Sequence, residues 1–292
     1  MMVTINSYIL MSDADNFSNE QPINPYYHQE SIDKLKARQE HAEIHGLLIS
    51  AGVTVITVPS PTDSQDGVYT ANWGLVRSDK AVLSRLPDAR KTEEIYAEKA
   101  LKELGKQVIH IPDGLKFSGQ GDALACGDLL FCGSGYRSDA AAQAFAADTL
   151  GYKLIQLQTV PQTDSGGNPK INSSTGWADS YFYDIDLALA IIKAPNGNQK
   201  GLIAYCPEAF TNTSRKLLES INIVDKITVS IDEAKNGFAT NLVSTGETVI
   251  MSANAPQLAS DLRAIGLNVL TPQITELAKG GGYIRCMTLT IS

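Results

Sequence analysis

A repeated order of segments (strand, strand, helix, strand) constrains this chain more than any other feature. TANWGLVRSDKAVLSRL reads as two strands joined at Ser78-Asp79-Lys80. KTEEIYAEKALKELGK then carries apolar residues at helical spacing, with acid early, lysine late and Gly105 as a stop, and QVIHIP returns as a strand. The order comes back in DALACGDLLFCGSG, the helix around DAAAQAFAADTLG and the strand YKLIQLQ. FYDIDLALAII, a turn at Asn196-Gly197, GLIAYCP, the helix TSRKLLESI and the strand KITVSI make another copy. GFATNLVSTGETVIMSA, the helix APQLASDLRAIG and NVLTPQI make the next. The last copy is divided between the chain ends: YIRCMTLTI closes the sequence, SYILMS opens it, and a helix over about 32–51 and VTVITVP follow.

Five such units of about 50 residues predict a closed ring of small sheets in which the first and last segments share a blade. The fold class is α/β, with one domain spanning 1–292. Strands alternating with helices also fit an open parallel sheet. Two hairpin-type strands before each helix argue against that. So do GSGYRSD and FSGQGDAL, neither of which continues to the third glycine of a phosphate-binding loop. The long insert over 158–180 is rich in Gly, Ser, Asn and Pro and reads as an exposed loop or lid.

Composition narrows the partners. A net charge of −8 without a Lys/Arg stripe disfavours nucleic acid, because phosphates need a basic footprint. No apolar run approaches the roughly 20 residues of a membrane span, and the first residues lack a basic signal-peptide region, so a cytoplasmic protein is expected. Four cysteines in 292 residues fit reduced thiols better than a disulfide framework. A hairpin turn at Gly127-Asp128 would put Cys126 and Cys132 on opposite faces, which argues against a bridge. Neither spacing nor accompanying histidines indicate a metal site. His41 and His45, four apart, read as a solvated helix face, and His110 as a sheet residue. Trp73 and Trp177 read as core or lid packing. The oligomeric state is not readable.

In a ring, the first strand of each unit points to a common centre. There the chain offers Asp66, Asn72, Gln120, Asp122, Asp184, Asp186, Asn241 and Cys286. Cys286 follows glycines 280–282 at the head of the last strand. It reads either as a packed strand thiol or as a nucleophile given room by residues without Cβ. Asp184 and Asp186, two apart, fall on one face of a strand. Two carboxylates there are costly unless something positive binds them; a solvated edge, or pairing with Arg137 or a lysine, is the alternative.

DGVYTANWGLV, FSGQGDAL, GSGYRSD, YDIDLAL and GGGYIRCMTL resemble, in order and rough spacing, the motifs of the guanidino-group-modifying enzymes. These comprise amidinotransferases, arginine deiminases and dihydrolases, and dimethylarginine dimethylaminohydrolases. The resemblance spans nearly the whole chain, including NPYY at 24–27, and is nearest to the branch with a Phe/Tyr-Thr-Ala-Asn motif. It implies a five-bladed α/β propeller (pentein) of pseudo-fivefold ββαβ modules around a central site. It also implies a cysteine-dependent, metal- and cofactor-free hydrolase or amidinotransferase acting on a small cationic guanidino compound. Cys286 matches the nucleophile that forms a covalent thiouronium. Asp186 matches the carboxylate gripping the guanidinium, and Asn72 the residue facing it. Asp66 and Asp122 match acidic positions lining or supporting the site, and Arg137 an arginine that holds a substrate carboxylate. Asn241 joins the substrate-binding set as a polar residue facing the centre.

Two departures stand out. Relatives read His-x-Asp where this chain has Asp184-Ile185-Asp186, and carry Glu where it has Ser118. Both members of one acid–base pair have changed together, and a serine is the compatible neighbour of a new carboxylate. Either Asp184 is a rebuilt proton shuttle, with Ser118 as its partner, or the shuttle is lost and the protein is a slow enzyme or a guanidine-binding propeller. An unrelated thiol enzyme is the third reading. His28, beside NPYY, is a substitute base to consider.

Overall fold

A computed structural model describes residues 4–27 and 30–292; His28 lies outside the described residues. The chain opens with β1 (Tyr8–Ser12), α1 (Lys34–Ser50) and β2 (Thr54–Val58). The next unit is β3 (Gly74–Arg77), β4 (Lys80–Leu83), α2 (Glu93–Glu103) and β5 (Gln107–His110). It is followed by β6 (Ala123–Cys126), β7 (Leu129–Gly133), α3 (Ala140–Leu150) and β8 (Lys153–Leu157). Then come β9 (Leu189–Lys193), β10 (Gly201–Tyr205), α4 (Asn212–Ser220) and β11 (Val224–Thr228), with α5 (Ile231–Gly237) after them. β12 (Val243–Ser244), β13 (Thr248–Ile250), α6 (Pro256–Ala264) and β14 (Asn268–Leu270) precede the closing β15 (Leu289–Thr290).

Five three-stranded sheets result: β15-β1-β2, β3-β4-β5, β6-β7-β8, β9-β10-β11 and β12-β13-β14. In each, the first two strands named pair antiparallel and the middle strand pairs parallel with the third. This follows from the connections. A short turn can only reverse a strand, whereas a parallel return needs a crossover, which here is a helix. The turn at Ser78 takes a left-handed φ of 55° and that at Gly127 one of 63°. Cys126 pairs with Leu129 and Cys132 with Ala123, so the two thiols lie on opposite faces of their hairpin, and both are free.

The sheets close into a ring through their first strands. β3 packs beside β15, β6 beside β9, and β9 beside β12. The seam is closed by Asn6 Nδ2 donating to the Ser244 carbonyl at 2.8 Å and by the Ile5 N–H donating to the Thr245 carbonyl. α1 is capped by Asp33, whose carboxylate accepts the Lys36 N–H, and it turns Ala37, Glu40, His41, Ile44 and Leu48 inward. His41 is therefore buried rather than on a solvated face, and burial holds its imidazole below the usual value. α5 is a second departure from the sequence reading, which runs the preceding strand to Ile231. Ser230 caps the helix by accepting the Glu233 N–H, ending β11 at Thr228.

The third departure places the site. The polar residues assigned to first strands lie instead on the tight turns that enter those strands. Asn72 is in the 3-10 turn Thr70–Trp73, Gln120 in Gly119–Gly121, and Asp186 in Ile185–Leu187, with Asp184 at its N-cap. Asp184 and Asp186 are thus not on one strand face, and Cys286 does not head a long strand: it sits in a run of turns before the two-residue β15. The reason is geometric. A strand alternates its side chains between two faces, whereas a tight turn aims nearby side chains in other directions.

Candidate active site

Cys286 is held from three segments. Its backbone N–H donates to Asn241 Oδ1 at 3.1 Å, and its carbonyl accepts the Ala71 N–H at 3.0 Å. Its thiol donates to Asp186 Oδ2 at 3.3 Å, and Asn241 Nδ2 donates to the sulfur at 3.1 Å. The residue is 3% exposed and belongs to the main hydrophobic core, while its sulfur also meets the polar groups of Asp186 and Asn241. Burial, then the Asp186 charge, pushes the thiol well above its ordinary pKa. At rest Cys286 is a protonated thiol.

The acids gather beside it. Asp184 Oδ2 accepts Asn72 Nδ2 at 2.7 Å, and the same nitrogen reaches Ser118 Oγ at 2.9 Å. Ser118 therefore meets Asp184 through the Asn72 amide. Asn72 Oδ1 is held by Arg90 Nη1 at 2.7 Å, which fixes which end of the amide faces Asp184. Arg90 is itself paired with buried Glu93 at 2.7 Å, and Glu93 also accepts Trp73 Nε1 at 3.0 Å. Asp122 Oδ1 accepts the Ile185 N–H at 3.1 Å, tying down the turn between the two central acids. Asp122 thus supports the site from behind. Burial and the Asp184 charge push the Asp122 and Asp186 carboxyls well up, with Arg285 opposing the effect at Asp186. Among the described residues, Asp184 Oδ1 and Asp186 Oδ1 are buried without a hydrogen-bond donor.

The flank of this cluster is glycine by necessity. A Cβ on Gly121 would overlap the Asn72 amide nitrogen and stand 2.7 Å from Asp184 Oδ2. Gly121→Ala is expected to fold, because a loop residue without a left-handed φ tolerates alanine locally. It is also expected to lower kcat/KM on a guanidine substrate about tenfold or more, by displacing the Asn72–Asp184 pair. Steady-state kinetics with a melting curve as the folding control checks this, and unchanged kinetics would show that the pair need not be held.

A small cleft beside the thiol is lined by Asp66, Asn72, Arg90, Arg137, Tyr183 and Cys286. Asp66 accepts the Tyr27 hydroxyl at 2.6 Å. Arg137 donates to the Ile23 carbonyl at 2.9 Å and lies over the Tyr183 ring at 4.0 Å. It makes no ion pair within 4.0 Å among the described residues. Gln120 does not face this cleft: it accepts from Arg285 Nη2 at 2.9 Å and donates to the Thr290 carbonyl at 2.7 Å. The triple glycine also differs from expectation. The space it leaves is filled by protein, since a Cβ on Gly282 would overlap the Tyr69 ring and one on Gly281 the Asn24 side chain. Asn24 Nδ2 donates to the Gly280 carbonyl at 3.0 Å, so the NPYY segment lies directly over the cysteine loop.

Sequence reasoning missed Arg90, Glu93 and Arg285. Arg90 and Glu93, three apart at a helix entrance, carry the signature of a solvated ion pair, and contacts from other segments, among them the Trp73 indole, the Asn72 amide, the Ser64 hydroxyl and the Asp66 and Tyr69 carbonyls, make them internal. Arg285 had a signal, a cation next to the proposed nucleophile. No group of three or more His, Cys, Asp or Glu suited to a metal occurs among the described residues. No helix among them is long and apolar enough to cross a membrane.

Comparisons with known proteins bear on the fold and the family. The chain is 30% identical over 97% of its length to the bifunctional arginine dihydrolase/ornithine cyclodeaminase AgrE of Nostoc sp., spanning 37% of that protein. It is 29% identical over 94% of its length to the N(G),N(G)-dimethylarginine dimethylaminohydrolase of Mycobacterium tuberculosis, spanning 82% of it. The crystal structure of the N-terminal domain of ArgZ, a cyanobacterial arginine dihydrolase bound to product, superposes with a TM-score of 0.84 at 27% identity, covering 98% of this chain and 97% of that one. A variant of the same domain, equally similar, is covalently bound to a reaction intermediate. Residues 10–292 match the family described as N,N dimethylarginine dimethylhydrolase, eukaryotic, and the chain, a five-bladed α/β propeller, belongs to that family.

Proposed function

We propose that this protein hydrolyses a C–N bond of the guanidino group of arginine or an arginine-like compound, through a covalent thiouronium on Cys286. The observation that carries the reading is the pair of donorless carboxylate oxygens, Asp184 Oδ1 and Asp186 Oδ1, buried next to a thiol. A buried acceptor without a donor is costly. A planar guanidinium, with N–H groups along its edges, offsets that cost at two points while presenting its carbon to the sulfur.

The same cation supplies the activation that the resting site lacks. Asp186 and burial hold Cys286 protonated. A guanidinium against Asp186 cancels that charge and favours the thiolate. Sγ then bonds to the guanidinium carbon, and the C–N bond to one terminal nitrogen breaks. The thiol's proton ends on the departing amine, with Asp184 as its carrier. Water next attacks the thiouronium carbon, the C–S bond breaks, the thiol is restored and a ureido product leaves with release of one proton. Hydrolysis is favoured over amidino transfer because AgrE and ArgZ are named as dihydrolases and the Mycobacterium tuberculosis relative as a dimethylaminohydrolase. Asn241 and Asn72 hold the sulfur and Asp184 in place, Asp66 and Arg137 line the cleft where the remainder of the substrate lies, and Asp122 and Ser118 support the acids.

Intact-mass spectrometry with arginine and its N-methylated forms, alongside an ammonia and amine assay, tests this. The expected result is a transient adduct on Cys286 with steady release of ammonia or methylamine, both absent in Cys286→Ala. A stable adduct without product would make the protein a guanidine-binding propeller that has lost turnover, and neither adduct nor product with any of them would overturn the reading.

A further inference from the structure

We infer that the end of the ring opposite Cys286 holds a second binding site, for a short aliphatic carboxylate, built on Arg285 and Thr240. The first strands run away from the turns that carry the partners of the cysteine. β3 leaves Thr70–Trp73 and ends at the Ser78 turn, and β6 leaves Gly119–Gly121 and ends at the Gly127 turn. Between those far ends lies a cleft of about 300 Å³ whose lining includes Ile5, Val76, Ser78, Gly127 and Arg285. A recess of about 40 Å³ adjoins it, sharing Ile5, Asn6, Ala125 and Arg285 and adding Thr240. None of the residues lining the cleft beside Cys286 lines either space.

Two side chains there call for an anion. Arg285 is 7% exposed, and its hydrogen bonds go to neutral acceptors: the Gln120 amide oxygen, the Thr288 carbonyl and hydroxyl, and the Thr290 hydroxyl. It makes no ion pair within 4.0 Å among the described residues. A buried cation without a counter-charge is costly. Thr240 is 1% exposed, and its Oγ1 is buried with no hydrogen-bond partner among the described residues. One carboxylate offsets both costs, accepting from the guanidinium and from the hydroxyl. No Asp or Glu side chain lines either space. Charge balance sets the ligand class. Arg77, the other cation on the lining, is spent on Asp128, so a single positive charge is left, which matches a monocarboxylate better than a phosphate dianion. Leu124 and Leu242 in the recess, and Ile5 and Val76 in the cleft, supply apolar walls for a chain of a few carbons.

Arg285 is also next in sequence to Cys286, and it favours the charged forms of Asp186 and of the thiol. A carboxylate bound to it cancels that support and makes the thiolate harder to form. The two ends of the axis are thus coupled through one guanidinium.

Saturation-transfer NMR with butyrate on the full chain reads the site directly. Wild type is expected to bind butyrate, Arg137→Ala to bind it equally, and Thr240→Val about tenfold or more weakly, the worth of one hydrogen bond to a charged group. Thr240→Val is expected to melt no lower than wild type, because the hydroxyl it removes has no partner to lose. Saturating butyrate is expected to slow alkylation of Cys286 by iodoacetamide about twofold or more, with more butyrate needed in Thr240→Val. Loss of the butyrate signal in Arg137→Ala but not in Thr240→Val would put the carboxylate in the cysteine cleft and overturn the site. Absence of butyrate binding to the folded protein would overturn it too. Displacement of butyrate by inorganic phosphate at a lower concentration than by propionate would overturn the carboxylate assignment. An alkylation rate indifferent to bound butyrate would overturn the coupling. None of these readouts requires turnover of a guanidine, so their failure is distinct from failure of the proposed activity.

Discussion

Asp186→Asn is expected to lose turnover almost completely while melting at a higher temperature than wild type at pH 8. The activity loss follows from replacing the anion that grips the guanidinium with a neutral amide. Removing one partner of a buried ionic contact costs about 3–5 kcal/mol, or roughly 10²–10³-fold or more in kcat/KM. The stability gain follows from the direction of the Asp186 shift. Its native pKa is raised, by burial first and by the Asp184 charge second. Near and below the unfolded value of about 3.9 both states hold the proton and Asp186 costs nothing. As pH rises, the unfolded chain ionises first, so the stability linked to this group is progressively lost until its raised native pKa is passed. An amide never ionises, so the melting-temperature difference should be near zero at pH 4 and grow towards pH 8. Each kcal/mol of relief is worth about 2–4 °C in a protein of this size class. The groups facing Asp186 are Asp184, Cys286, Arg285 and Asn241, with Tyr26 and Asp122 farther off; Arg285 and the hydrogen bonds from Cys286 and Asn241 favour ionisation, but burial and the Asp184 charge outweigh them. Melting curves at the two pH values decide the matter. A variant no more stable than wild type at pH 8 would mean that Asp186 is already compensated and is not poised for a cation.

Asp184→Asn, in the intact enzyme, is expected to slow the step that expels the amine by about 10²–10⁴-fold, the usual worth of general acid–base help. The amide can still accept from Asn72 Nδ2, which at present lies 2.7 Å from Asp184, so the geometry is kept while the transferable proton is lost. Pre-steady-state quenching should show slower formation of the Cys286 adduct, with hydrolysis of the preformed adduct less affected. An unchanged rate of adduct formation would show that water or substrate protonates the leaving amine and that this carboxylate only binds.

The two variants act on neighbouring acids yet separate the roles of the site. One removes charge that the substrate must balance; the other removes a proton path and keeps the shape. Their difference also bears on the paired departure at residues 118 and 184. With Asn72 Nδ2 bridging Ser118 Oγ and Asp184 Oδ2, a glutamate at 118 would bring a second carboxylate to one buried amide.

Much of this molecule was legible from order and spacing. The five units, the hairpin turns at Ser78 and Gly127, the division of one sheet between the chain ends and the convergence of Cys286 with Asp186 and Asn241 all follow from periodicity and motif. α5 was obscured because Ile231 continues the apolar alternation of the strand before it, and the Ser230 cap competes only once the chain has turned. Arg90 and Glu93 resemble a surface pair in any one-dimensional view. The glycines before Cys286 mark close approach, but whether by ligand or by protein depends on Tyr69 and Asn24, which come from distant segments.

Taken by itself, the amino-acid order determined how many blades there are, how each is wired and which residue types meet at the axis, because hydrogen-bond ladders and short connections are local or nearly so. What only the tertiary structure decided is how those residues present themselves. The acids sit on turns instead of strand faces, the thiol is shut in and protonated, and one carboxylate oxygen each of Asp122, Asp184 and Asp186 is left without a donor among the described residues. Those properties come from desolvation and from contacts between segments far apart in the chain, and burial of a charge is a property of the assembled surroundings that no stretch of sequence carries alone.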